Sequence, residues 1–363
     1  MLQTLAFGGA LAKRFVEDRP ETSQPSVGLV FLGVANLSVF IPVFFIVFYT
    51  FQHVYPALAA VEDPLPPYES LAMNDDDGQT KNGNNLATTT STTTTTTTQP
   101  GKPITSSIRE TNRLIRSLSG WLSNFRGLGF FLVVGILTGL ATLFLCALPF
   151  VPRFVAHLLA LLIVAPLSTT WTHVVITRPS AKSSFQRVPP LKKTYRAIWL
   201  PTVFNWAAIT VATYSPVLLA RLIDLPLPDP ERPDRFRGEL PAGSVSDVAK
   251  WLAVFGVSVG LQVLLCVPAQ TVLMRVQASL LPPDEDTVVP FDRSFGGRVE
   301  PEVVTGKGFA TFGAALNSIT RDSWVRIYMQ RIKLFAMSMV LYFAVAAIIM
   351  VEVLISWFVV GRQ

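Results

Sequence analysis

Six long apolar runs constrain this chain more than any other feature. They occupy residues 27–51, 128–150, 155–176, 198–222, 248–273 and 332–360. Each meets or exceeds the about 20 residues a helix needs to cross a hydrocarbon core. Lipid offers the backbone no hydrogen-bond partners, so segments of this length cross it as helices. Composition agrees: half of the 363 residues are hydrophobic and only 15% are charged, whereas a soluble domain carries roughly a quarter charged residues. The sequence predicts an all-α membrane protein with six transmembrane helices. Residues 151–154 join the second and third runs as a tight helical hairpin.

The charge balance is basic, with 30 Lys and Arg against 24 Asp and Glu. Basic residues that flank spans meet anionic headgroups. No nucleic-acid motif or compact basic domain accompanies them, which excludes nucleic acid as a partner. The first, third and fifth loops hold 20 of the 30 Lys and Arg. The positive-inside rule therefore places these three loops on one cytosolic or matrix-like face. The segmentation is an N-terminal tail at 1–26, a first two-span unit at 27–150, a second at 151–224, a linker at 225–247, a third unit at 248–360 and a tail at 361–363. The first unit carries an insert at about 62–104 whose Thr-rich stretch cannot form a core and is expected to be disordered. The third carries a long polar loop at about 279–306.

Repeats organise the spans further. Pro42, Pro166 and Pro268 each interrupt an odd-numbered span, where proline removes a hydrogen bond and kinks the axis. His173 follows Pro166 by seven residues and Arg275 follows Pro268 by seven. In the first unit that spacing reaches Tyr49. An aromatic pair spaced by four precedes each even span: Trp121 with Phe125, Tyr195 with Trp199, Trp324 with Tyr328. Residues four apart share a helix face, and aromatics beside Arg126, Arg196 and Arg326 suit a short helix at the interface. The unit is then a kinked span, a basic loop, an interfacial helix and a second span, repeated three times.

That plan resembles the mitochondrial carrier family. The segment Pro268 to Gln277, with Arg275 and Gln277 at its end, resembles the family's Pro-x-acid-x-x-base and Arg-x-Gln signature. The segment from Ser119 through Gly120, Trp121, Phe125, Arg126 and Gly127 is similar to the element that opens the family's even helices. The resemblance implies a carrier-like bundle of three two-helix repeats in a mitochondrial membrane. It departs where the family keeps its charges: the acid positions hold Phe44, Ser168 and Gln270, and the base positions Val47, Trp171 and Leu273. Loss of these charges resembles divergent relatives that use the fold as a platform, which implies a non-enzymatic scaffold or adaptor. A transporter of an uncharged or apolar solute is the alternative, and an endomembrane protein unrelated to carriers is a third reading. The fifth loop also resembles that of fungal membrane proteins that carry the label "ubiquitin carrier protein". That label implies no conjugating chemistry here, which needs an accessible thiolate.

Few residues suggest chemistry. Cys146 and Cys266 both lie in apolar runs, and the three histidines, His53, His157 and His173, form no metal-ligand spacing. No nucleotide loop or hydrolase elbow occurs. The expectation is no catalytic, cofactor or metal site. Polar candidates inside the membrane are Asn205, Glu352 and His173, since an intramembrane ionisable group is a functional hypothesis by default. Asn205 reads more simply as helix–helix glue, His173 as an interfacial anchor, and Arg275 and Gln277 as groups that snorkel to headgroups. Gly135 with Gly139, and Gly256 with Gly260, have the spacing that permits close helix approach. The partners implied are the lipid bilayer and, through the polar loops, a protein. A small-molecule solute is left open.

Overall fold

The computed structural model describes residues 27–63, 103–179, 184–225, 245–299 and 308–360. The N-terminal tail, the Thr-rich stretch, most of the 225–247 linker and the C-terminal tail lie outside these residues. The helices are α1 (Val27–Phe45), a π-helical stretch (Ile46–Val54), α2 (Tyr55–Val61), α3 (Ile108–Ser119), α4 (Leu128–Cys146), α5 (Arg153–Ile176) and α6 (Leu191–Leu222). There follow α7 (Val245–Leu261), a second π-helical stretch (Gln262–Cys266), α8 (Val267–Ser279), α9 (Phe312–Asn317) and α10 (Arg321–Val360). Among the described residues there is no strand, only one antiparallel bridge between Thr177 and Thr287.

Six helical segments are long and apolar enough to cross a membrane: Asn36–Val61, Leu122–Cys146, Arg153–Ile176, Leu191–Leu222, Val248–Ser279 and Arg321–Glu352. The predicted all-α, six-span class is therefore the observed one. Several spans run further than their apolar runs. The first continues through Gln52 and His53 to Val61: Gln52 is exposed, but the His53 ring is half-buried and lies 4.6 Å from Phe131 and 6.1 Å from Trp171. The sixth begins at Arg321, eleven residues before its apolar run.

Serine and threonine hydroxyls in the spans bond back to the carbonyl four residues earlier, as in Thr138 to Val134, Thr170 to Pro166 and Ser338 to Leu334. Lipid-embedded hydroxyls need such a partner. Both π-helical stretches end two residues before a proline, Pro56 and Pro268. A proline clashes with the carbonyl four residues back, and the wider π turn relieves that crowding.

The chain forms two compact units. One gathers residues up to 45 with 207–266, the other 46–206 with 267 onward. In the first, Leu37, Ile41, Phe44, Leu218, Leu252 and Phe255 are exposed, and alanines 208, 212 and 220 are buried. In the second, Ala165, Ile198, Val272, Val276, Leu280 and Phe295 belong to one buried cluster. In this unit α4 packs against α5. It exposes Leu132, Ile136, Leu140, Leu143 and Phe144, the surface lipid chains would cover. A Cβ on Gly135, Gly139, Gly256 or Gly260 would meet nothing within 4 Å. The expected close approach at these glycines is therefore not made.

The aromatic pairs differ from expectation. Trp121 to Phe125 forms a separate 3-10 turn, set off by Gly120 (φ 75°) and Gly127 (φ 76°). Tyr195 with Trp199 and Trp324 with Tyr328 instead lie within the continuous helices α6 and α10, because no glycine separates them from the spans. The amphipathic helix before the second span is α3, capped by the Ser107 hydroxyl, which accepts from the Glu110 N–H at 3.4 Å.

Candidate functional site

The ends of the first, third and fifth spans pack against one another, and polar groups join them there. Arg275, expected to snorkel, is 2% exposed. Its Nη2 donates to Asp63 Oδ1 at 2.8 Å and its Nη1 to the Ala60 carbonyl at 3.1 Å. The guanidinium carbon stands 5.3 Å from the Phe295 ring centroid and 6.0 Å from that of Phe291, a cation–π arrangement. His173, expected at the interface, is fully buried. Its Nε2 lies 2.9 Å from the Gln277 carbonyl, which can only accept, so Nε2 carries the proton. Gln277 is also buried. Its Oε1 accepts from Thr172 Oγ1 at 2.7 Å, and its Nε2 donates to Ser168 Oγ at 3.5 Å. Arg275 and Gln277 lie beyond their apolar run because the helix continues to Ser279, whereas His173 lies within its run; for all three, protein groups supply what headgroups would have.

Two further ion pairs border this junction. Glu62, 1% exposed, pairs with Arg326 at 3.2 Å. It accepts from the backbone N–H of Ile104 (2.6 Å) and Thr105 (3.1 Å) and from the Thr105 hydroxyl. Arg326 Nη2 donates to the Glu62 carbonyl at 2.5 Å. Arg187 lies 3.6 Å from Glu285, both buried, and donates to Thr177 Oγ1 at 2.8 Å. Deeper, Trp171 Nε1 donates to the Tyr49 hydroxyl at 3.2 Å, and that hydroxyl donates to the Arg126 carbonyl.

The fifth loop packs on this junction. Asp63 N–H donates to the Pro290 carbonyl, Arg178 N–H to Asp286 and Val288 N–H to Ile176. The segments that follow the first, third and fifth spans therefore share one face. Exposed Asp292 orders the loop's turn, accepting from the N–H and hydroxyl of Ser294 and the N–H of Gly296. Partial burial pushes its pKa up, but these hydrogen bonds outweigh that and hold its carboxyl below the usual range.

The signature-like residues thus divide. Arg275, Gln277 and His173 meet at the junction. Gly127 abuts it: a Cβ there would lie 3.2 Å from Tyr49 Oη and 3.3 Å from Val174 Cγ1. Gly120 faces open space. Exposed Tyr195 bonds the Ile163 carbonyl, and Trp199 is exposed. Asn205 Oδ1 is buried with no protein hydrogen bond. Glu352 lies 26 residues beyond Arg326 on α10, about 39 Å by helix rise, and is remote from the junction.

Pro42 is out of register. It precedes the end of its helix at Val61 by nineteen residues, whereas Pro166 and Pro268 precede Ile176 and Ser279 by ten and eleven. Pro56, which lay beyond the apparent first run, precedes Val61 by only five residues but matches by a different spacing. Seven residues after it stands Asp63, as His173 stands after Pro166 and Arg275 after Pro268. This spacing was a signal in the sequence that would have located Asp63. Nothing in the sequence pattern singled out Glu62, Arg187, Glu285 or Phe295.

Arg275, Arg326 and Arg187 each face an acid here. A space beside it, lined by Val54, Leu58, Ile115, Ser123, Arg126 and Val175 among others, is about 10 Å³. That holds about one water. Among the described residues no three His, Cys, Asp or Glu side chains are grouped to hold a metal.

Fold and junction together define an all-α, multi-pass integral membrane protein. Comparison with known families, with characterised proteins and with solved structures finds no match to this chain.

Proposed function

We propose that this chain is a non-enzymatic membrane scaffold or adaptor built on a degenerate carrier-like plan. The observation that carries the reading is the junction itself. Asp63 with Arg275, His173 with Gln277 and Glu62 with Arg326 pair with one another, and the adjoining space is water-sized. Polar groups used this way hold helix ends together instead of receiving a solute. Support for the carrier-like plan comes from the Pro56, Pro166 and Pro268 spacing. The out-of-register Pro42 weighs toward the reading that has no carrier ancestry. A mitochondrial membrane follows from the carrier-like plan alone.

A transporter of an uncharged or apolar solute is the second reading. One observation favours it: the junction contacts join the ends of three different spans, so separating them would open that end. Flux decides between the two. The purified chain in liposomes should release small uncharged solutes no faster than empty liposomes, and cross-linking in native membranes should capture a protein partner. Saturable flux lost on Arg275→Ala would overturn the scaffold reading. Organelle fractionation with protease access to tagged termini tests the location, and residence outside mitochondria would remove the carrier-derived argument.

A further inference from the structure

The fifth loop does more than connect two spans. Residues 280–299 cross the ends of all three odd spans and are fastened to each. On the first span, Asp63 holds Asp292 N–H through Oδ2 at 3.0 Å while its Oδ1 holds Arg275. On the third, the Thr177–Thr287 bridge and the Val288 to Ile176 bond align a short antiparallel contact. Beside it Arg187 reaches Glu285. On the fifth, Phe295 is 1% exposed beneath Arg275 and shares a core cluster with Val276.

Two features mark this closure as one that can release. The first is its composition. The catches are charged: Asp63, ion-paired to Arg275, holds the strap through the Asp292 N–H, and Arg187 pairs with the strap's Glu285, while two of the buried atoms involved, Glu285 Oε2 and Arg275 Nε, have no protein hydrogen-bond partner. Buried polar atoms left unpaired are costly, and hydration on opening removes that cost. The second is its backbone. Phe295, Gly296 and Gly297 are consecutive residues with φ of 53°, 70° and 76°. Glycine adopts this region freely, but phenylalanine does so at a cost that only its buried ring offsets.

We propose that residues 280–299 form a strap that closes the odd-span junction from this face and opens as a unit when its two ionic catches, at Asp63 and at Glu285, let go together. The inference does not rest on the scaffold reading. An opened strap uncovers the junction whether a solute or a protein is then admitted.

The test uses the full chain in lipid nanodiscs, with Cys146→Ser and Cys266→Ser and a reporter, Val276→Cys, under the strap. Val276 is fully buried, so a charged maleimide should label the reporter slowly. Asp63→Asn and Glu285→Gln together should speed labelling at least tenfold, and each alone by less than the pair. A second construction holds the strap shut: Thr177→Cys with Thr287→Cys, residues opposed across the bridge, joined by a disulfide. The oxidised form should label at least tenfold more slowly than the reduced form. Fast labelling of the reporter in the parent would overturn the proposal, as would catch variants that elute normally and label no faster. Should the catch variants not fold, the locked pair decides alone. Equal rates in its oxidised and reduced forms would show that the strap does not open.

Discussion

Replacing Glu62 by glutamine removes one negative charge from a site that admits almost no water. Glu62 is 1% exposed and the Arg326 side chain opposite it is 6% exposed. The carboxylate also receives two backbone N–H groups and a hydroxyl. The glutamine keeps one acceptor oxygen. Its amide turns a donor toward donors, and Arg326 loses its counter-charge. Breaking one partner of a buried pair costs about 3–5 kcal/mol, because the remaining charge is stranded. The loss falls first on residues 104–106 and α3, which Glu62 ties to the end of the first span. Arg109, Arg113 and Arg116 are exposed on α3, so trypsin reports the release. Where reclosing outpaces cleavage, cutting follows the open population, and about 3 kcal/mol corresponds to roughly a hundredfold faster cleavage. A cycle sharpens the test. Arg326→Met should also destabilise, but Glu62→Gln with Arg326→Met should cost well under the sum, since no charge is then stranded. Glu62→Gln cleaved within threefold of the parent, or a strictly additive double variant, would refute the reasoning.

Three further outcomes follow from the geometry. Gly127→Ala should destabilise by roughly 2–4 kcal/mol, combining the left-handed backbone penalty with contact against Tyr49 and Val174. Gly120→Ala, at a similar φ but in open space, should cost only about 1–2 kcal/mol, and thermal unfolding in detergent ranks the two. Arg275→Lys should lower stability by roughly 1–3 kcal/mol, because an ammonium cannot both stack on Phe295 and reach Ala60 and Asp63 with a planar fork. Asp292 supplies a pH dependence. Its folded pKa is depressed, so its stabilisation of the turn is complete above the unfolded value, about 3.9, and is lost as pH falls through the lower folded value. Hydrogen exchange of 290–299 should rise as pH drops below about 4 after correction for intrinsic rates. Asp292→Asn should remove that rise.

How far the sequence could be read depended on what each residue type signals in lipid. Apolar length is a direct physical requirement of the bilayer, so the number and order of spans were legible. Their ends were not, because hydropathy treats a polar residue as the edge of the membrane. Gln52 and His53 stop the first apolar run, yet His53 is packed among rings and the helix goes on to Val61. Arg275 and Gln277 follow the fifth run and were placed among headgroups, yet both are buried against partners from other spans. In each case the compensating group is distant in sequence: Asp63 is 212 residues from Arg275, and Thr172 is 105 from Gln277. Such pairings leave no local periodicity. The fifth loop illustrates the same limit. Its composition marked it as a long polar loop, but not that Asp292, Glu285 and Phe295 would each meet a different part of the junction.

One nonlocal feature was within reach. Inside the first apolar run Pro42 is the only proline, and Tyr49 stands seven residues after it. Allowing the helix to outlast its run admits Pro56, and the same spacing then reaches Asp63. The three residues so marked, Asp63, His173 and Arg275, are an acid, an imidazole and a base on the three odd spans. Two of them pair directly at 2.8 Å, and the third bonds the carbonyl two residues beyond Arg275. A membrane interior tolerates such residues only where each finds a partner. A polar or charged residue recurring at one distance after a helix-interrupting proline is therefore better evidence for a meeting point than any one of these residues alone. By that rule Arg275 belongs with an acid at the end of the first span and not among headgroups, as its pair with Asp63 shows.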